Sequence, residues 1–259
     1  MERTNEKKIS GIIMMLPKIT VITVVYNGVL TLEATIKSVI TQTYSNLEYI
    51  IIDGGSIDGT LVLLEKYKEQ IAVIVSEKDN GIYDAMNKGL ALSTGEWICF
   101  MNSGDIFSSC NVLSSIFGNN NWIDVDVIYG DAIQINGSKR KLIVAGDKLS
   151  QLNYHPIYRH TASFVRTQIH KQFYFDLNLQ EKINYALDFY VIHHLYKKEA
   201  RFMKVECSIC SYLKEGTSNH FIKNLWYNYL ITNDMKFSVF SFVKWFLMMM
   251  RFRLESCIF

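Results

Sequence analysis

The chain has 259 residues, of which 49% are hydrophobic and 20% charged, with a formal net charge of +2. That length holds one large α/β domain with an added C-terminal element, and the apolar share excludes wholesale disorder. The near-neutral charge gives no electrostatic footprint for nucleic acid as a partner. The 5 cysteines are scattered and odd in number, which fits a reducing compartment and not a disulfide framework.

Residues 9–16, ISGIIMML, are apolar and follow two lysines. The run is short and no small-x-small cleavage site follows, so residues 1–17 read as an N-terminal extension. Ile19 to Val25 is a continuous β-branched run that stops at Tyr26-Asn27-Gly28, as a buried parallel strand does on entering a loop. Leu32 to Ile40 has helical spacing, with Thr31 as its expected N-cap. Leu47 to Ile52 is a second buried strand ending at Asp53-Gly54-Gly55-Ser56. Thr60 to Tyr67 reads as a helix and Ile71 to Ser76 as a third strand.

Ile82 to Ala91 reads as another helix. Glu96 to Met101 is a fourth strand, stopping at Asn102-Ser103-Gly104-Asp105. This alternation predicts a mostly parallel sheet with helices on both faces, and ligands bind such sheets at the carboxyl ends of the strands. Val112 to Phe117 is expected to be helical and Val125 to Tyr129 a strand. The segment from about 130 to 180 carries a weaker signal, with a hairpin turn at Asn136-Gly137. Asn184 to Lys197 is expected as a helix and Phe202 to Tyr212 as a strand. From Phe221 onward the chain is aromatic and helical in character. No stretch reaches the roughly 18 uncharged apolar residues of a membrane span.

Three acids stand at the ends of apolar elements: Asp53 after the second strand, Asp105 after the fourth, and Asp188 in the apolar helix NYALDFYVIHHLY. Each has a plain structural reading, because Asp shapes turns and serves helix surfaces. Together they suit a strand-end ligand site. Transfer of a sugar from a nucleotide diphosphate needs a cradle for the base, neutralisation of the leaving diphosphate by a carboxylate-held cation, and a general base for the acceptor hydroxyl. The literal Asp124-Val125-Asp126 precedes a strand and reads as a solvated decoy. Cys207 and Cys210 form a CxxC without the second ligand pair that zinc needs.

At these positions the sequence resembles the inverting family 2 glycosyltransferases of the type that assembles bacterial surface polysaccharides. ITVITVVYNG resembles the family's opening strand and loop, and SVITQTYSNLEYIIIDGGSIDGT its second motif. EKDNGIYDAMNKGLALSTGEWICFMNSGD resembles the segment leading into the metal motif. The likeness is close from about Lys18 to Asp105 and weaker to about Ser218. It implies a GT-A, Rossmann-like fold over residues 18–220, followed by a helical aromatic tail over residues 221–259. It implies a nucleotide-sugar donor, a UDP-sugar first, and a divalent metal, Mg²⁺ or Mn²⁺. The acceptor would be a glycan or a lipid-linked saccharide.

The resemblance also implies roles. Tyr26 and Asp53 would meet the base, Asp105 would hold the metal, and Asp188 would be the general base. Asn87, Lys88, Ser103 and His160 would complete the nucleotide-sugar site, with His160 near the diphosphate or the acceptor. Three positions depart from the family pattern. Gly104 replaces the first of two adjacent acids, Met86 replaces a phosphate-contacting Arg, and Leu187 replaces the Glu of the later motif. These departures favour a competing reading, a non-catalytic nucleotide-sugar-binding scaffold of a polysaccharide assembly complex. Gly216-Thr217-Ser218 is expected as a loop near the site.

The tail KFSVFSFVKWFLMMMRFR, residues 236–253, intersperses aromatics with cations. It fits a helix on an anionic membrane surface or a helix packed on protein. The expected location is the cytoplasm, at the inner face of the cell membrane if the tail binds lipid.

Overall fold

The computed structural model describes residues 6–9, 12–120, 122–214 and 221–255. The expected extension contains a two-stranded antiparallel hairpin of β1 (Glu6–Ile9) and β2 (Ile12–Met15), separate from the main sheet. The strand and helix series then follows: β3 (Ile19–Val25), α1 (Leu32–Ile40), β4 (Leu47–Asp53), α2 (Thr60–Tyr67), β5 (Val73–Ser76), α3 (Ile82–Leu92) and β6 (Trp97–Phe100). Strands β3 to β6 are mutually parallel in the order β5-β4-β3-β6.

The sheet continues through β7 (Ile106–Phe107), β8 (Val127–Asn136), β9 (Lys139–Ile143), β10 (Ser163–Arg166) and β11 (Phe202–Leu213), with α4 (Val112–Phe117) after β7 and the short helices α5 (Thr167–His170) and α6 (Gln180–Ile183) after β10. β10 lies antiparallel between β6 and β8, β11 runs parallel to β8, and β7 closes the edge antiparallel to β11. The nine-stranded sheet is thus mixed and mostly parallel.

Its two faces follow from the period of two along each strand. Ile19, Val21 and Val25 of β3 pack with α1, α2 and α4 on one side. Ile22 and Val24 pack on the other side with Tyr83, Met86 and Leu90 of α3, together with Leu187 and Ile192 of α7 (Leu187–Lys197). The C-terminal helices α8 (Phe221–Thr232) and α9 (Val239–Glu255) form a small satellite core around Tyr229, Trp245 and Met249. Among the described residues, no helix is long and apolar enough to cross a membrane.

Several local expectations change. Thr31 does not cap α1 through its side chain; its hydroxyl instead pairs with that of Ser103 at 2.9 Å. The third strand starts at Val73, and the fourth stops at Phe100. Asp105 therefore follows a turn and does not end that strand. Gly104 adopts φ +97, a conformation costly for residues with a side chain, and the Asp105 N–H returns to the Asn102 carbonyl at 2.9 Å.

The strand expected at Val125 to Tyr129 is β8, and it continues to Asn136 through Gly130 and Asp131. Gly130 is a point of close approach, since a Cβ there would lie 2.8 Å from the Cys207 carbonyl oxygen of β11. The Asn136-Gly137 hairpin joins β8 to β9 as expected, with Gly137 at φ +56. The helix expected from Asn184 begins as a 3-10 turn, because Asn184 sits at φ +42, ψ −111. The α-helix starts at Leu187, which puts Asp188 in its first turn.

Candidate active site

The loops after β3, β4, β5 and β6 gather at the carboxyl ends of these parallel strands. Tyr26 is 65% exposed there. Asn27, at φ +49, ties the first loop to the second: its N–H donates to Ser56 Oγ at 2.7 Å, and its Oδ1 accepts from the Ile57 N–H at 2.9 Å. Asp53 ends β4 and is fully buried. Its Oδ2 accepts from the N–H groups of Gly55 (3.1 Å) and Ser56 (3.0 Å) and from Ser76 Oγ (2.6 Å). Its Oδ1 is buried without a partner. Asp53 therefore shapes the turn, and one carboxylate oxygen remains for a donor that a ligand would bring.

Asn87 and Lys88 belong to α3. The Asn87 side chain clamps the backbone of Phe175, donating to its carbonyl at 2.8 Å and accepting from its N–H at 2.9 Å. Both ends of that amide are committed to holding the chain that packs over α3. Lys88 pairs with Glu77 at 2.8 Å, and Glu77 is the first residue beyond β5. Those charges hold the Lys88 ammonium above its ordinary pKa. The hydroxyl of Ser103 lies against Gly28 and bonds Thr31, bracing the turn that carries Asp105.

Asp105 and Asp188, from distant parts of the chain, both feel the charge of Arg159. Burial pushes the Asp105 carboxyl up to about 7, and the charge of Arg159 partly opposes the rise. Burial likewise pushes Asp188 up to about 6, opposed by the Phe189 N–H and by Arg159. Asp188 Oδ1 accepts from that N–H at 2.7 Å, as suits a carboxylate in the first turn of a helix. A cavity of about 550 Å³ opens beside Asp188, lined also by Tyr158, Arg159, His160, Tyr185 and Asn228. The His160 ring stacks on Phe100 at 5.2 Å, and burial lowers its pKa to about 3, so it stands there as a neutral imidazole.

Sequence reasoning missed Arg159, which is the immediate neighbour of the His160 it singled out. It also missed Tyr83, whose buried hydroxyl faces the backbone N–H groups of Leu187 and Asp188. The other singled-out features lie elsewhere. Asp126 and Asp124 both bind Arg201, at 2.9 and 2.8 Å. Cys207 is half-buried and Cys210 buried on β11. Gly216-Thr217-Ser218 falls outside the described residues.

Among the described residues, no three or more His, Cys, Asp or Glu side chains cluster as a metal cage. A single carboxylate fits a divalent ion held chiefly by phosphate and water. The raised pKa of Asp105 fits such a cation, because the charged form lacks compensation, and the nearby Asn102 Oδ1 is buried without a partner.

Comparison with known proteins bears on the family and the fold. An uncharacterized glycosyltransferase of Mycobacterium tuberculosis is 40% identical over 99 residues, covering 38% of each chain. A PGL/p-HBAD biosynthesis glycosyltransferase of Mycobacterium bovis is 31% identical over 126 residues, covering 46% of this chain and 48% of its own. The chain thus matches less than half the length of these relatives. Among solved structures, S. aureus TarS 1-349 in complex with UDP superposes with a TM-score of 0.65 at 17% identity, covering 84% of this chain and 65% of that one. The mannosyltransferase PcManGT from Pyrobaculum calidifontis, in complex with GDP-Man and Mn²⁺, gives 0.64 at 16% identity, covering 88% and 67%. The profile of glycosyl transferase family 2 matches residues 20–170, more than half of the chain, and the protein belongs to that family on a GT-A fold.

Proposed function

We propose that the protein transfers a sugar from a nucleotide diphosphate sugar, a UDP-sugar first, to a glycan or lipid-linked acceptor with inversion at the anomeric carbon. The observation that carries this reading is that Asp188 and Arg159 line one cavity and that the charge of Arg159 also reaches Asp105, with both carboxyls raised by burial. Tyr26 offers an exposed ring for the base, and Asp53 Oδ1 offers an acceptor for a base N–H. Asn87, Ser103 and Lys88 act mainly by holding the loops that carry these groups.

Asp188 takes the proton of the acceptor hydroxyl as its oxygen attacks the anomeric carbon, and one displacement inverts that centre. With a pKa of about 6, it is largely ionised at pH 7 and still basic enough for the task. Asp105 would hold Mg²⁺ or Mn²⁺ together with donor phosphate oxygens, and such an ion neutralises charge on a leaving diphosphate. His160, neutral and stacked, forms part of the cavity wall on the acceptor side.

The reading extends to the membrane. The outward side of α9 carries Phe240, Val243, Leu247 and Met250, all exposed, while Trp245 and Met249 pack inward on Tyr229. Lys236, Lys244 and Arg251 accompany the apolar side, with no acidic residue between 235 and 254. This arrangement suits an anionic lipid surface. It would bring the cavity, which Met249 also lines, toward a lipid-linked acceptor at the inner face of the cell membrane. Flotation with phosphatidylglycerol vesicles should carry the wild-type protein upward and leave a Phe240→Ser/Leu247→Ser variant behind. Equal flotation of both would remove the membrane from the proposal.

Nucleotide release from UDP-, GDP- and dTDP-sugars, with Mn²⁺ or EDTA, tests the enzyme itself. Release from one donor is expected, dependent on metal, lost in Asp105→Ala and much reduced in Asp188→Ala. Tight donor binding without turnover, even with a membrane lipid extract as acceptor, would favour the scaffold reading instead.

A further inference from the structure

A diphosphate leaving group needs a cation, and the position where the resemblance expects an arginine holds Met86. That side chain is only 2% exposed, packed in the core between α3 and the sheet. Lys88, two residues on, is engaged by Glu77 at 2.8 Å and Asp84 at 3.8 Å. With Asp105 expected to hold a divalent ion, the ionised Asp188 still adds negative charge to the reaction centre, which opposes a departing anion.

Arg159 is a cation on the cavity beside Asp188. It precedes the 3-10 turn His160–Ala162 with an extended backbone, φ −85 and ψ 136, and its side chain reaches Tyr212 of β11. The guanidinium lies over the Tyr212 ring, 5.0 Å from its centroid. It lines the cavity shared with Asp188 and is an exposed residue. Its charge acts on both Asp105 and Asp188, yet among the described residues it forms no ion pair or hydrogen bond through its side chain. An aromatic face fixes the guanidinium plane while leaving the N–H edges open, and those edges match phosphate oxygens in pairs.

We propose that Arg159 is the residue that receives the leaving diphosphate, taking over the task expected of the Met86 position. The inference rests on the donor reading above. As the acceptor oxygen bonds to the anomeric carbon, the bond from that carbon to the diphosphate oxygen breaks. Its electron pair stays on the diphosphate, whose charge grows by one, and the acceptor proton passes to the Asp188 carboxylate. Arg159 faces both changes. It meets the new negative charge directly, and it holds Asp188 in its basic form until the proton arrives.

Calorimetry on the full chain tests the assignment, with UDP and UMP, GDP and GMP, and dTDP and dTMP as probes in Mg²⁺ buffer. The wild-type protein should prefer one diphosphate over its own monophosphate. Arg159→Ala should shrink that preference by about ten- to hundredfold, the worth of a charge-assisted pair. Monophosphate affinity should stay unchanged, which also certifies the fold of the variant. Arg159→Lys should restore part of the preference. An Arg159→Ala variant with the wild-type ratio overturns the proposal, as does one that keeps the ratio and raises only the acceptor KM. A wild-type protein that binds none of the diphosphates overturns the donor reading and this assignment with it.

Discussion

Asp188→Asn removes a charge from a place that disfavours it, while keeping the side-chain shape and an acceptor for the Phe189 N–H. Burial raises this carboxyl from 3.8 to about 6 in the folded protein. A shift of roughly 2 pK units corresponds to about 3 kcal/mol as an upper value, and the water still touching this half-buried residue reduces it to about 1–3 kcal/mol. The sign follows from the raised pKa. Below about pH 4 both the folded and the unfolded carboxyl are protonated and nothing is lost. As pH rises through 6, the native state must ionise a group that the unfolded chain ionises more readily, and stability falls. Urea unfolding at pH 4 and pH 8 reads this directly through the midpoint at constant m-value. The variant should match wild type at pH 4 and exceed it by about 1–3 kcal/mol at pH 8. Its turnover should fall by roughly 10²–10⁴-fold, the usual contribution of a general base. A variant equally stable or weaker at pH 8 would refute the claim that this carboxylate is held at a cost.

Other outcomes follow from the same geometry. The kcat/KM of the wild-type enzyme should decline below about pH 6, as the Asp188 carboxylate takes up a proton, and a flat profile down to pH 5 would contradict its role as base. Asp53→Ala should destabilise by about 2–4 kcal/mol in urea unfolding, because it orphans the buried Ser56 N–H and loosens the turn. Tyr26→Ala should leave stability within about 0.5 kcal/mol, since the ring is exposed, yet weaken nucleotide binding measurably in calorimetry. Gly130→Ala should cost about 1–3 kcal/mol, because the new methyl meets the β11 backbone at Cys207; an unchanged unfolding midpoint would show that the two strands can part there.

The parallel strands from residue 19 to 100 were legible because β3, β4 and β6 are buried on both faces. The run ITVITVV in β3 could hardly be anything else, and its neighbour β4 repeats the pattern. Beyond residue 125 the signals weaken for physical reasons. Gly130-Asp131 looks like the end of a strand, but Gly130 instead admits the close passage of β11. β9 is exposed along most of its length and carries charges, so it shows no apolar alternation. β10 has only the short run Ser163–Arg166 to announce it. Asp105 and Asp188 could be named from resemblance, but nothing in their spacing says that both come within reach of the charge of Arg159. Arg159 had no signal of its own, because its position depends on how a short 3-10 turn packs against β6, β8 and β11.

The most direct test of single displacement at Asp188 is the anomeric configuration of the sugar first released from the accepted donor, followed by proton NMR during slow hydrolysis before mutarotation. The expected result is the anomer opposite to that of the donor, formed by wild type and nearly absent with Asp188→Asn. Release of the donor's own anomer, or an undiminished rate in Asp188→Asn, would contradict the assignment of Asp188 as the base of an inverting transfer.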